Sequence, residues 1–140
     1  MAYYLTRRVT FAAAHRYRIP QWSDERNAEV FGLCARPSYH GHTYVCDVTV
    51  RGELDETTGM VVDLARVDHV LAAEVRDRFD HRNINLDVPE FADGQLVPTG
   101  ENLARFIFER VQRALGAAAT VTAVAIAEDE TLRVTYDGRG

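Results

Sequence analysis

The chain has no lysine; all sixteen positions counted as lysine or arginine are arginine. A bound phosphate must therefore be held by arginine, histidine or backbone amides, and a Schiff base on a lysine amine is excluded. Cysteine is nearly as scarce, with two in 140 residues, Cys34 and Cys46. Two do not make a disulfide framework, and both suit the thiol state of a reducing compartment. No run of eighteen apolar residues occurs, so no membrane-spanning helix and no membrane partner are expected. The opening Met1-Ala2-Tyr3-Tyr4-Leu5-Thr6-Arg7-Arg8 carries no basic segment followed by an apolar stretch. No secretory signal is read there, and a cytoplasmic location is expected. Positive charge is in deficit, with a net charge of −5, the wrong sign for a nucleic-acid binder. Repeats, low-complexity tracts and linkers are missing too. At 140 residues this predicts a single domain spanning 1–140.

What is present is ordered hydrophobic alternation. Tyr3, Leu5, Val9, Phe11, Ala13 and His15 share one side of a first run, interrupted by Arg7. His42, Tyr44, Cys46, Val48 and Val50 share one side of a second run over residues 40–53. Period two predicts two strands. Antiparallel pairing with His15 opposite or nearly opposite His40 makes the apolar faces coincide. A slip by one residue would bury Asp47, Thr49 and Arg51 instead. Residues 16–39 are too long for a hairpin turn and predict a functional loop or a short helix. Asp63 is placed to cap a helix over Leu64, Val67, Leu71, Val75 and Phe79. Thr99 is placed to cap a second, over Leu103, Phe106, Ile107, Val111 and Ala114, closed by Gly116. Residues 121–128 and 131–136 predict a closing hairpin. The order ββααββ implies α+β, a four-stranded antiparallel sheet with two helices on one face. Its open edges imply an oligomer.

Of the five histidines, three fall where those strands begin and end: His15, His40 and His42. The i, i+2 spacing of His40 and His42 puts both imidazoles on one strand face. The expected register brings His15 alongside. Three imidazoles with no evident fourth protein ligand make the catalytic form of a zinc site, whose open position takes water or substrate. A His-X-His pair alone is a weak signal and reads first as a half-buried strand with two polar residues. The metal reading gains because four of only five histidines fall in motif-like places. His69 falls within a helical pattern and is read as solvated or structural.

Cys34 lies in an irregular loop six residues before His40. A metal or protonated histidine nearby would lower its pKa and favour the thiolate. Cys46 faces the apolar side of its strand and reads as a small hydrophobe. Asp80-His81 follows the first helix. It reads as an aspartate orienting an imidazole or as plain polar termination, and spacing alone favours the second. Glu128 shares the strand side of Val124 and Ile126, where a carboxylate is costly unless paired. Its partner is either the N–H edge of a guanidine-like heterocycle or an internal arginine.

Along the chain stand Phe11-Ala-Ala-Ala-His15, Phe31-Gly-Leu-Cys34, His40-Gly-His42-Thr-Tyr44, Thr58-Gly-Met-Val, Asp80-His81, Asp87-Val-Pro89 and Pro98-Thr-Gly-Glu101-Asn102. With the closing hairpin, these resemble the 6-pyruvoyl-tetrahydropterin synthase family. The related 6-carboxytetrahydropterin synthase of queuosine biosynthesis shares that family. The resemblance covers essentially the whole chain. It implies the tunnelling fold (T-fold), in which subunits join sheets into a barrel, as a homohexamer built as a dimer of trimers. It implies action on 7,8-dihydroneopterin triphosphate with loss of triphosphate. Motif by motif, it implies His15, His40 and His42 as Zn2+ ligands and Cys34 as the catalytic cysteine, working with Asp80 and His81. It implies Glu128 as the anchor of the pterin ring, with Thr99 and Glu101 lining the pterin pocket. Thr43 departs from the family's asparagine after His-Gly-His. The family's closing Glu-Thr is Glu128-Asp129 here, while a literal Glu-Thr occurs at Glu130-Thr131; spacing to Tyr136 and Gly138 favours Glu128.

The implied activity is that of a zinc-dependent carbon–oxygen lyase forming 6-pyruvoyl-tetrahydropterin. The five residues between Cys34 and His40, with Pro37 among them, resemble the pyruvoyl-forming members. The carboxy-forming members have a shorter gap and supply the alternative. A non-catalytic, zinc-stabilised pterin-binding module would leave Cys34 and Asp80-His81 without a task. A metal-free aldolase-like member would leave the three histidines without one. The zinc ligands and Glu128 are expected on different chains of a shared site.

Overall fold

The apolar alternation decides the architecture. Strands β1 (Tyr3–His15) and β2 (His40–Gly52) pair antiparallel, with His15 opposite His40, Ala13 opposite His42 and Phe11 opposite Tyr44. This is the expected register. The structure is a computed structural model and describes residues 2–139. Phe11, Tyr44, Cys46, Val48 and Val50 are sealed on one face. Burying such side chains contributes about 1.5–3 kcal/mol each, so a slipped register would forfeit several at once.

The long loop folds as α1 (Asp24–Phe31), followed by a 3-10 turn (Gly32–Ala35) that carries Cys34. Buried Asn27 holds the loop closed: its side chain accepts from the Ile19 N–H and donates to the Ile19 and Ser23 carbonyls. After β2, Asp63 caps α2 (Leu64–Leu71), which passes through a π-helical turn (Ala72–Arg76) into α3 (Asp77–Phe79). The π turn was not legible in the alternation, yet it has a use. Leu71, Val75 and Phe79 recur every four residues, a stripe that drifts by about 80° over eight residues of α-helix. The wider turn keeps all three buried.

Next come β3 (Arg82–Asn83), α4 (Ile84–Asp87) and α5 (Gly100–Leu115), then β4 (Thr120–Ala127) and β5 (Arg133–Tyr136). Thr99 caps α5 and Gly116 closes it, as expected. The sheet order is β3-β1-β2-β4-β5. Four strands are antiparallel, and two-residue β3 adds a fifth, parallel to β1. The expected four-stranded sheet is corrected to five, because a two-residue strand has no alternation to read. β3 fixes a motif: Asp80 Oδ1 accepts from the Ala12 N–H, and the His81 N–H donates to the Ala12 carbonyl. Asp80-His81 is thereby pinned to the outer edge of β1. No helix of the described residues is long and apolar enough to cross a membrane.

The opposite face is less open than the alternation implies. Asp47 is buried there, with one carboxylate oxygen 2.8 Å and the other 3.1 Å from nitrogens of Arg8, and with Arg133 at 3.2 Å. Arg8 first, then Arg133, hold its pKa below the ordinary carboxylate value.

Candidate metal centre and adjoining pocket

The β1–β2 ladder ends where its buried side chains turn polar. His15 is fully buried, His40 and His42 are half-buried, and one ligand nitrogen from each lies within 4.8 Å of the others. Ring centroids are 4.6 Å apart for His15 and His40, and 5.1 Å for each of the other two pairs. Burial pushes His15 down to about 4 against the opposing hydrogen bond to Pro98, and His40 and His42 add to the fall. Burial, then His42, lowers His40 as well. These shifts favour the uncharged ring, the form a metal ligand needs.

The second layer orients the rings. Nδ1 of His15 is 2.8 Å from the Pro98 carbonyl, an acceptor, which puts the proton on Nδ1 and the lone pair on Nε2. The Tyr44 hydroxyl lies against the same ring edge, 3.0 Å from Nδ1 and 3.3 Å from Nε2. Nε2 of His42 is buried with no hydrogen-bond partner among the described residues. Leaving a buried polar atom unpaired costs about 1–3 kcal/mol, and a cation between the rings would remove that cost. Among the described residues no carboxylate or thiol joins the cluster of three. This donor set fits a Zn2+-type ion with an open position.

The segment that supplies Pro98 is folded by its own side chains. Thr99 Oγ1 accepts from the Asn102 N–H at 3.2 Å, and Asn102 Nδ2 donates to the Val97 carbonyl at 2.8 Å. A Cβ on Gly100 would come within 3.0 Å of Val134, so the start of α5 sits tight against β5. Exposed Glu101 and half-buried Thr99 line a pocket of about 310 Å3 with Tyr17, Phe31, Ile126 and Glu128. A larger cavity, about 590 Å3, lies at the other end of the ladder beside Arg51, Gly52 and Glu53. Its described lining holds no histidine, cysteine or buried carboxylate, whereas the smaller one contains buried Glu128, which also lines a neighbouring hollow with His42.

Glu128, directly after β4, is 8% exposed. Its Oε1 accepts from the Tyr17 hydroxyl at 3.0 Å, and its Oε2 lies 3.8 Å from His42 Nε2. No arginine pairs with it among the described residues. One carboxylate thus borders both the pocket and the histidines within a single chain, which corrects the expectation that they come from different chains. The reason is local: β4 lies next to β2, so the end of β4 falls beside the start of β2. The rival Glu130 is exposed. Tyr17 carries no pattern signal in the sequence. Burial, then Glu128, pushes its hydroxyl pKa up, so it stays a donor.

Cys34 is half-buried, and its carbonyl accepts from the Tyr17 N–H at 2.7 Å. Burial, then the charge of Glu128, raises its thiol pKa. The expected lowering is therefore not supplied by protein groups. Water is withdrawn from the thiol, and the charge acting on it is negative. Cys46 is fully buried and pushed up to about 12, by burial and then Asp47.

His81 Nδ1 lies 3.0 Å from Asp80 Oδ2, the contact an orienting aspartate requires. The Ala12 N–H first, then His81, holds the Asp80 pKa below its ordinary value. The His81 side chain is 83% exposed, with a backbone φ of 58°. No hydrogen bond or ion pair joins it to Cys34 among the described residues. His69 is exposed on α2, as expected.

Fold and site together define a class: an α+β domain whose sheet ends in a three-histidine centre beside an acidic pocket. The family model for 6-pyruvoyl tetrahydropterin synthase matches residues 4–139, and the chain belongs to that family. A 6-pyruvoyl tetrahydrobiopterin synthase of Homo sapiens is 42% identical over 111 residues, covering 79% of this chain and 75% of that one. The structure of Caenorhabditis elegans 6-pyruvoyl tetrahydropterin synthase matches with a TM-score of 0.92 at 37% identity, covering 99% of this chain and 97% of that one. The fold is thus the tunnelling fold. A dihydroneopterin monophosphate aldolase of Pyrococcus furiosus is 32% identical over 108 residues, covering 77% of this chain and 74% of that one.

Proposed function

We propose that the protein is a zinc-dependent lyase that converts 7,8-dihydroneopterin triphosphate to 6-pyruvoyl-tetrahydropterin, releasing triphosphate. Family membership supports lyase chemistry on a pterin phosphate. The carrying observation is that the pocket carboxylate, Glu128, lies 3.8 Å from the unpartnered nitrogen of the three-histidine centre. A pterin presents a guanidine-like row of N–H donors, and Glu128 is the acceptor placed to receive them. The pocket, lined also by Thr99 and Glu101, holds the ring while the side chain extends toward His15, His40 and His42. When bound there, Zn2+ supplies Lewis-acid polarisation of the side-chain oxygens, which acidifies the neighbouring C–H bonds. Cys34, as thiolate, takes a proton from carbon. His81, oriented by Asp80, delivers one. The C–O bond to the phosphate breaks with its electron pair leaving on triphosphate. Ring reduction balances side-chain oxidation, so no external oxidant is needed.

His81, beside half-buried Asp80, stands exposed on the sheet edge, with no hydrogen bond or ion pair to Cys34 of its own chain among the described residues. We assign the pair to the site of an adjoining subunit, within a homohexamer made as a dimer of trimers. Mixing Cys34→Ala with His81→Ala protein under subunit exchange should then restore part of the lost activity. A cytoplasmic location suits the two free thiols.

The test of the whole reading is to incubate zinc-loaded protein with dihydroneopterin triphosphate and identify the pterin product. The pyruvoyl product with free triphosphate supports it. A 6-carboxy product would move the protein to the queuosine route, aldol cleavage would align it with the aldolase relative, and binding without turnover would make it a pterin-binding module.

A further inference from the structure

Tyr17 is in contact with three parts of the site. Its backbone N–H donates to the Cys34 carbonyl at 2.7 Å, and its hydroxyl donates to Glu128 Oε1 at 3.0 Å. Its ring packs edge-on against His15, centroids 5.1 Å apart. Phe31 makes a second edge contact at 5.6 Å and is itself backed by Trp22. The direction of the hydroxyl is thus set by packing on the ring and by a backbone bond, and it does not depend on a flexible side chain.

Glu128 is the residue that needs such a restraint. Its Oε2 lies 3.8 Å from His42 Nε2, the buried atom that lacks a partner. Zinc accepts carboxylate oxygens as well as imidazole nitrogens, and a fourth protein ligand turns an open, catalytic site into a closed, structural one. A carboxylate oxygen 3.8 Å from one of the three histidines is within a small side-chain movement of becoming that ligand. Among the described residues, the one hydrogen bond to the Glu128 carboxylate comes from Tyr17.

We propose that the Tyr17 hydroxyl holds Glu128 out of the ligand set of the three-histidine centre, so that the carboxylate serves the pocket and the centre keeps its open position. This rests on the metal reading above. Tyr17 is a positioning residue in this scheme, because it touches the carboxylate and not the reacting atoms. Tyr17→Phe keeps the ring, both edge contacts and the backbone bond, and removes only the restraint.

The test measures Zn2+ affinity by competition with a chromophoric chelator. It uses the unaltered chain, Y17F, E128Q and the double variant, with visible spectra of the Co2+-loaded forms. Outer partners of metal sites change affinity by about 10–100-fold. Y17F should bind Zn2+ more tightly by an amount in that range, with altered Co2+ bands and a raised KM for the pterin substrate. In the double variant the gain should vanish, because an amide is a poor ligand. Equal or weaker Zn2+ binding by Y17F, or a gain that survives in the double variant, would overturn the role of Tyr17 and leave the metal reading standing. Failure of the unaltered chain to take up Zn2+ or Co2+ would overturn both.

Discussion

Two polar clusters, each centred on a buried side chain, sit on opposite faces of this sheet, and they differ in how fully they are satisfied. Asp47 has both carboxylate oxygens bonded to Arg8, and Arg133 adds a third contact. His15, His40 and His42 crowd together at the end of the same ladder, yet His42 Nε2 bonds to nothing. A closed network explains itself as structure. An open one, kept at a cost in stability, points to a ligand.

Deleting a member of each set separates the two most sharply. His42→Ala should abolish stoichiometric Zn2+ binding and lower turnover by more than the roughly hundredfold typical of outer-shell losses. It should leave the metal-free fold at least as stable, because the unpaired nitrogen is gone. Metal analysis, turnover and urea unfolding check all three.

Acid should distinguish the sets next. The folded pKa of His15, about 4, lies below the ordinary value of 6.5, so between those values the unfolded chain binds a proton that the folded chain refuses. Stability of the metal-free protein should be fully present above pH 6.5 and fall by about 3 kcal/mol toward pH 4. Asp47 has the same sign in a lower window: its depressed pKa stabilises the fold above the ordinary 3.8, and that contribution is lost only as pH falls below it. Urea midpoints from pH 7 to pH 3 should show the histidine loss first.

Asp47→Ala should cost about 1.5–3 kcal/mol, the range for hydrogen bonds to charged groups, with Zn2+ stoichiometry unchanged. Loss of metal binding in that variant would mean that the two faces are not independent. The smallest effect is on thiol reactivity. Iodoacetamide should label Cys34 well before the sealed Cys46, and Zn2+ should speed labelling of Cys34 by opposing the burial and Glu128 effects that raise its pKa. Peptide mapping with and without the ion decides this, and equal labelling of the two would contradict it.

Much of this was legible in the residues. Alternation along β1 and β2 was enough to place His15 opposite His40, because a one-residue slip would exchange an apolar face for a charged one. Thr99 and Asp63 were readable as caps because the capping side chain lies beside the stripe it starts. β3 was not readable, since its two residues pair through tertiary contacts with Ala13 and Ala14. The π turn follows from packing against the sheet and carries no distinct pattern. Tyr17 has no signature of its own in the sequence because its role depends on Glu128, 111 positions away. The Cys34 pKa went the other way for a related reason: the loop that carries the thiol buries it beside the same carboxylate.

The central claim is that three histidines at one end of the β1–β2 ladder hold a metal beside the pocket carboxylate. Diffraction at the zinc absorption edge, on crystals grown from zinc-loaded protein, tests it most directly. The account predicts one strong anomalous peak per chain, about 2.0–2.1 Å from a nitrogen of each of His15, His40 and His42. Both Glu128 oxygens should lie outside ligand distance. A peak elsewhere, no peak after loading, or any of the three rings turned to the other face of the sheet would contradict it.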